Sequence, residues 1–319
     1  MRKKEICLVT GGAGFIGSNL AEGLLRRGFR VRVLDNLSTG KRENLAHMLS
    51  RIEFIKGDIR DERKLRQALH GVSYVFHLAA IASVPESVAE PRKTHDINVT
   101  ATSRLLEASL KAKVKRFVFT SSSSVYGETD KFPSTEEDLP RPESPYAASK
   151  VMGEYYCRNF SKLYGLETVS LRYFNVFGPR QNPRSRYANV IPIFLKKILD
   201  HEPPEVHWDG KQSRDFVYVD DVVAANLLAM KRPGIAGEAF NIGSHSEARV
   251  IDCLRGIQQV LGVKKVKVRH TPKRAGDVRR TFADIGKARR LLGYRPSVSF
   301  REGLRRTVSW FLKNADRLS

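Results

Sequence analysis

Cysteine is scarce in this chain: among 319 residues there are three, Cys7, Cys157 and Cys253, far apart from one another. They give neither a disulfide framework nor the close pairs of a structural metal site, so no metal is expected and a reducing, cytoplasmic setting suits them. Long apolar runs are missing as well. No stretch reaches the roughly 18 apolar residues that a membrane-spanning helix requires. The opening Met1-Arg2-Lys3-Lys4-Glu5 leads into only Ile6–Thr10 before glycines intervene, too short for the apolar core of a secretion signal. Internal repeats, low-complexity tracts and long linkers are also lacking, which excludes a repeat array and leads us to expect parts that pack intimately. Acidic residues are in short supply, 34 Asp and Glu against 56 Lys and Arg, for a net charge of +22. That excess would suit nucleic acid. The basic residues are nevertheless scattered, and an anionic substrate, solubility or compositional drift explains them equally, so nucleic-acid binding is not expected.

What is present is the composition of a globular protein, 41% hydrophobic and 28% charged, long enough for one large α/β domain or two. Continuous apolar runs at Ile6–Thr10, Val31–Leu34, Ile52–Lys56, Tyr74–Leu78, Arg116–Ser121 and Thr168–Arg172 read as strands buried on both faces. Helical patterns alternate with them at 19–27, 61–69, 91–113 and 146–164. Such alternation predicts an α/β fold, a Rossmann-like doubly wound parallel sheet with its ligand crevice beyond the carboxyl ends of the strands. After about residue 175 the rhythm breaks. Helices are expected at 190–199, 221–232, 247–262, 280–293 and 301–315, with short β patterns over 203–221 and a strand at 239–242. The division expected is a dinucleotide-binding domain over 1–174 and a smaller mixed α/β part over 175–319, mainly for substrate, with some segments returning to the first.

The first strand opens into Gly11-Gly-Ala-Gly14-Phe-Ile-Gly17 and then a helix. Glycines there permit a tight turn and close backbone approach at a helix N-terminus, where amide groups and the helix dipole receive a pyrophosphate. Asp35, at the end of the second strand, is placed for the adenosine ribose hydroxyls and would repel a 2′-phosphate, which favours NAD over NADP. Asp58-Ile59 after the third strand should flank the adenine. Leu78-Ala79-Ala80 after the fourth offers small residues that a cofactor can approach.

Tyr146 and Lys150 lie four apart on a predicted helix that Pro145 can start, so they share a face one turn apart. An ammonium beside a phenol favours the phenolate. Bringing a tyrosine from about 10 to near 7 takes roughly 4 kcal/mol of such bias, and the product is a general base for a sugar alcohol.

These pieces, in order, resemble the extended short-chain dehydrogenase/reductase family and, within it, the UDP-hexose 4-epimerases. The resemblance rests on Thr10–Gly17, Asp35-Asn36-Leu37-Ser38-Thr39-Gly40, His77–Ala80, Ser121–Gly127, Tyr146-x-x-x-Lys150, Leu171–Arg180, Arg214–Asp221 and Arg274-Ala-Gly-Asp277. It implies a catalytic trio of Ser122, Tyr146 and Lys150, with Ser123 and Ser124 as neighbouring hydroxyls. It also implies an NAD site made by Gly11, Gly14, Phe15, Ile16, Gly17, Asp35, Asn36, Ser38, Thr39, Gly40, Asp58, Ile59, Leu78, Ala79, Ala80 and Tyr173, together with Tyr146 and Lys150. Substrate would be held by Ser122, Ser123, Tyr146, Asn175, Gln181, Asn189 and Val190, by Arg214 and Arg274 on the diphosphate, and by Asp277 on the uridine ribose or on Arg274. Arg180, Arg184 and Arg186 read as a solvated basic loop.

Relatives that dehydrate nucleotide sugars carry an Asp-Glu pair just after the catalytic hydroxyl residue, and those that decarboxylate UDP-glucuronate have a glutamate at the place of Ser124. Ser123 and Ser124 supply neither. Thr281 stands where enzymes restricted to glucose and galactose often have tyrosine. The resemblance therefore implies UDP-N-acetylglucosamine/UDP-N-acetylgalactosamine, with UDP-glucose/UDP-galactose accepted too. Ala82 replaces a lysine that some glucose/galactose enzymes place near the cofactor. The rivals are a UDP-glucuronate 4-epimerase, another dehydratase or decarboxylase, and an RNA-binding protein on the same fold. A cytoplasmic homodimer through helices around 91–113 and 146–164 is implied as well.

Overall fold

A computed structural model describes residues 5–183, 189–264, 266–273 and 278–314. The first half alternates as the apolar runs require. Strand β1 (Ile6–Thr10) leads into helix α1 (Phe15–Arg26), β2 (Arg30–Asp35) into a 3-10 segment over Arg42–Arg51, and β3 (Ile52–Lys56) into α2 (Glu62–Leu69). Asp61 caps α2, its carboxylate accepting from the amides of Arg63 and Lys64. β4 (Val72–His77) is followed by α3 (Val84–Ala89), α4 (Pro91–His95) and α5 (Ala101–Lys111). The single helix expected over 91–113 is thus interrupted by a π-helical turn at Asp96–Thr100. β5 (Arg116–Ser122), α6 (Pro145–Tyr164) and β6 (Thr168–Tyr173) complete this half.

The later chain contributes β7 (Asn175–Phe177), α7 (Val190–Leu199), β8 (Glu205–His207), β9 (Ser213–Tyr218), α8 (Val219–Lys231) and β10 (Glu238–Ile242). It ends with β11 (Glu247–Arg249), α9 (Val250–Leu261), β12 (Arg269–Thr271), β13 (Arg280–Thr281) and α10 (Phe300–Lys313). Two helix expectations start too early. Residues 247–249 pair antiparallel with β9, and Arg280–Thr281 lies parallel beside it. The reason is backbone pairing on both sides: Ser213 N–H donates to Arg279 C=O, while Ser134 N–H donates to Phe282 C=O and Ser134 C=O accepts from Asp284 N–H. Helical winding resumes only at Ala288–Leu292.

The main sheet is parallel throughout, in the order β10-β6-β5-β4-β1-β2-β3. Its inner strands are buried on both faces, which accounts for their largely apolar sequences, while the edge strand β3 is only partly buried. One face packs against α2, α5 and α6 through Leu65, Leu105, Leu106 and Cys157. The other packs against α1 and α8, and its core continues through Phe177, Phe216 and Phe300 into the later segments. Order reverses between β1 and β4, so the crevice opens at their carboxyl ends. Among the described residues no helix is long and apolar enough to cross a membrane.

Candidate active site

β1 delivers the chain into Gly11, whose φ of +69° and N–H bond to Leu34 C=O start the turn. A Cβ on Gly17 would lie 2.2 Å from Gly11 C=O, and one on Gly11 would lie 2.8 Å from Ala79 N, so the two glycines let α1 and β4 close on the turn. The first-turn amides of α1 have no helical acceptor and are available to an anion. Asp35 closes the far end. Its carboxylate accepts from Ala13 N–H at 2.9 Å and Leu37 N–H at 2.8 Å; burial raises its pKa, opposed by those two bonds. Asn36 donates to Asp58, and the Arg60 guanidinium, which the sequence did not single out, holds the Asp58 carboxyl down at about 2. Between them, His77 is pinned by Thr10 and Thr102, and burial keeps it neutral with a pKa of about 3.

A continuous cleft of about 600 Å³ joins these residues to the Tyr146 region. Every residue expected to hold the dinucleotide lines it, from Gly11 through Tyr173, and Ile81, Ala82, Val84 and Ile97 join them. The cradle of backbone amides, the Asp35 carboxylate in the cleft wall and the length of the cleft fit NAD. Among the described residues no acidic, His or Cys cluster could hold a metal.

Ser144 caps α6 by accepting from Ala147 N–H, with Pro145 in the first turn. Tyr146 is therefore presented on the first turn and Lys150 on the second. Lys150 Nζ donates to Thr120 C=O at 2.9 Å and lies 5.7 Å from the centre of the Tyr146 ring and 5.1 Å from that of Phe119. Burial lowers its pKa to about 8. Burial raises the Tyr146 phenol, and the Ser122 hydroxyl opposes this. Ser122, Ser123 and Ser124 all line the cleft with it.

Asn175, Asn189, Arg214 and Thr281 line the same cleft on the side of the later segments, with Thr281 Oγ1 donating to Asn175 Oδ1 at 3.0 Å. Asn175, Asn189 and Arg214 also border a second cavity of about 330 Å³, with Val190, Phe194, Lys197, His207 and Gln212. Gln181 does not reach either space. It is buried with its amide donating to Val176 C=O, a tie that fixes the chain after β7. Arg180 is no solvated loop residue: its guanidinium is buried against Glu22 of α1, which locks the later chain onto the first helix. Arg184, Arg186, Arg274 and Asp277 lie outside the described residues.

Beneath the site runs a buried polar network that the sequence reading missed. Glu154 accepts from the Ser121 hydroxyl and, bidentately, from Arg172, whose third nitrogen donates to Tyr126; Tyr126 in turn donates to Asn241. Glu154 lies four residues beyond Lys150, and that spacing was the available signal. Asn98, in the π-helical turn, grips both backbone groups of Ile81 and donates to Ser149. It thereby ties the loop beside the glycine turn to the residue preceding Lys150.

A doubly wound sheet with a glycine turn, an aspartate closing the second strand and a buried Tyr/Lys pair defines a nicotinamide-dinucleotide enzyme of the short-chain dehydrogenase/reductase type. Residues 7–243 match the model of the NAD dependent epimerase/dehydratase family, and the chain belongs to that family. It is 41% identical to a UDP-glucose 4-epimerase of Mycolicibacterium smegmatis, over 95% of this chain and 97% of that protein. Among solved structures, UDP-glucose 4-epimerase from Thermotoga maritima with UDP-glucose is 44% identical, with a TM-score of 0.92, over 97% of this chain and 99% of that one. UDP-N-acetylglucosamine 4-epimerase from Methanobrevibacter ruminantium, in complex with UDP-N-acetylmuramic acid, is 40% identical, with a TM-score of 0.93, over 98% and 99%.

Proposed function

We propose that the protein inverts C4 of a UDP-hexose, with UDP-N-acetylglucosamine and UDP-N-acetylgalactosamine as its preferred pair and the plain hexoses as secondary substrates. The observation that carries this reading is that Ser122, Tyr146 and Lys150 line the dinucleotide cleft where it meets Asn175, Arg214 and Thr281 of the later segments. Tyr146 removes the 4-OH proton while Ser122 holds that oxygen. NAD, held along the glycine turn, Asp35 and the Tyr146/Lys150 wall, would supply hydride acceptance and return at C4, and its oxidised ring would add positive charge near the phenol. Lys150 keeps a cation beside the tyrosine and is anchored by Thr120. The 4-keto sugar turns over within the cleft, and Tyr146 gives its proton back.

The second cavity suits a uridine, with Phe194, Val190 and Phe216 as apolar walls and Gln212 and His207 as polar edges. Arg214, between the two spaces, is placed for the diphosphate, a task that suits a guanidinium. Arg274 and Asp277 are assigned to the diphosphate and the uridine ribose on the family resemblance alone. No carboxylate follows Ser122 in the cleft wall, where Ser123 and Ser124 stand, which disfavours dehydration and decarboxylation. We also assign a homodimer through α6, whose Met152, Tyr155, Tyr156, Leu163 and Tyr164 are exposed, and a cytoplasmic location.

The test is incubation with UDP-glucose, UDP-N-acetylglucosamine and UDP-glucuronate separately, read by anomeric proton NMR. Equilibration of the acetamido sugar with its C4 epimer is expected. Equilibration of the glucuronate alone, or release of carbon dioxide, would overturn the reading. A phenol at position 281 would fill the space beside Asn175, so Thr281→Tyr should reduce kcat/KM for the acetamido pair about 10-fold or more relative to UDP-glucose. Parallel losses on both would remove Thr281 as the gate.

A further inference from the structure

Arg141-Pro142-Glu143 leads into Ser144, the cap of α6, and two bonds fasten it to the turn after β5. Arg141 N–H donates to Val125 C=O at 2.8 Å, and Glu128 N–H donates to Glu143 Oε1 at 2.9 Å. Gly127 permits this approach. Its φ is +63°, and a Cβ there would lie 2.0 Å from Arg141 C=O and 3.2 Å from Glu143 Oε1. The carboxylate is thus fixed between Gly127 and the start of α6, in the cleft wall that also carries Ser123, Ser124 and Tyr146. Among the described residues no ion pair and no second hydrogen bond engages Glu143, so its other oxygen is open to the cleft. The other acidic residues lining that space, Asp35 and Asp58, belong to the glycine-turn end.

We propose that Glu143 is a specificity-determining residue: its open oxygen accepts a hydroxyl of a neutral UDP-hexose, and its charge excludes UDP-hexuronates. The inference rests on Tyr146 acting at C4 of a UDP-sugar. In a hexose the carbons flanking C4 are C3, which bears a hydroxyl, and C5, which bears C6. The 3-hydroxyl and the C6 group therefore lie to either side of the oxygen that Tyr146 deprotonates, and turning the ring over exchanges them.

A carboxylate beside the tyrosine meets a hydroxyl in both poses of a neutral hexose, a charge-assisted bond each time. A uronate brings its own C6 carboxylate to the same place in one of the two poses, and like charges in a partly enclosed cleft repel. Inversion requires both poses. Opposing one of them therefore blocks turnover as well as weakening binding.

The experiment is titration calorimetry of the NAD-loaded protein with UDP, UDP-N-acetylglucosamine and UDP-glucuronate, with turnover by anomeric NMR alongside. Glu143→Gln keeps the side chain's size and an oxygen for Glu128 N–H while removing the charge. It should tighten UDP-glucuronate about 10-fold and weaken UDP-N-acetylglucosamine about 3-fold, leaving UDP unchanged. Shifts of opposite sign on two sugars are not what a loss of packing produces. Glu143→Asp, which keeps the charge, should still disfavour the uronate. Added salt should narrow the parent's discrimination and hardly move that of the glutamine variant. Glu143→Ala removes the same charge and serves as the second variant should the glutamine protein not fold. An unchanged ratio of affinities, or parallel changes for both sugars, overturns the proposal. So does a 4-keto-6-deoxy product made by the parent and abolished by Glu143→Gln, which would make the carboxylate an acid/base. A parent that shows the expected affinities without inverting C4 would remove the epimerase reading instead, which separates the two failures.

Discussion

Tyr146→Phe is expected to lower kcat for C4 inversion about 1,000-fold while the protein still retains its dinucleotide, since a positioned acid/base group contributes about 100- to 10,000-fold. The substitution removes one oxygen from a residue already packed in the first turn of α6. Phenylalanine fills the same space against the cleft wall, and the cradle around Gly11, Gly17 and Asp35 is untouched. Binding should therefore survive while proton transfer fails. Turnover by anomeric NMR and bound NAD by absorbance after denaturation check the two halves of the statement. Activity within 10-fold of the parent protein would show that another group takes the proton. Burial holds the phenol above its ordinary value, so a base at this position depends on the positive charges and donors gathered around it.

The second large effect is on stability. Arg172→Met should cost about 3–5 kcal/mol, because it leaves the Glu154 carboxylate buried with no cation beside it. The two side chains are 6% and 10% exposed, so solvent cannot substitute for the missing partner. Burial works against the charge on Arg172, yet Glu154 outweighs it and holds the guanidinium protonated. The urea midpoint should fall accordingly. The double variant Glu154→Leu/Arg172→Met should recover part of the loss, as it removes both charges and leaves only the Ser121 and Tyr126 hydroxyls short of partners. A double variant no better than Arg172→Met would mean that the pair's contacts with its neighbours, rather than its charge balance, hold the site together.

The inner strands of the main sheet were legible because they are buried on both faces and read as largely apolar runs, whereas β3 is only partly buried at the edge. The glycine turn was legible because its close approaches leave no room for a Cβ. The Tyr/Lys spacing survived for a similar reason, since a helix fixes what four residues apart means. Segments after residue 175 were harder. Arg280-Thr281 carries no strand signature of its own and takes its conformation from β9, and Gln181 and Arg180 are turned inward by Val176 and Glu22, partners remote from any local pattern. The upward push on the Tyr146 phenol could not be read either, because burial is a property of the packed site.

The seventh strand of the main sheet is supplied by residues 238–242, which follow β7, α7, β8, β9 and α8 in the chain and pair with β6. A polypeptide stopped at Phe174 would consequently expose the whole edge of β6, six residues of nearly complete burial in the intact protein. Naked edges of that kind recruit other chains. Expressed alone, the leading half should aggregate rather than serve as a portable dinucleotide carrier, and adding the remainder as a separate fragment should rescue solubility by donating the missing strand.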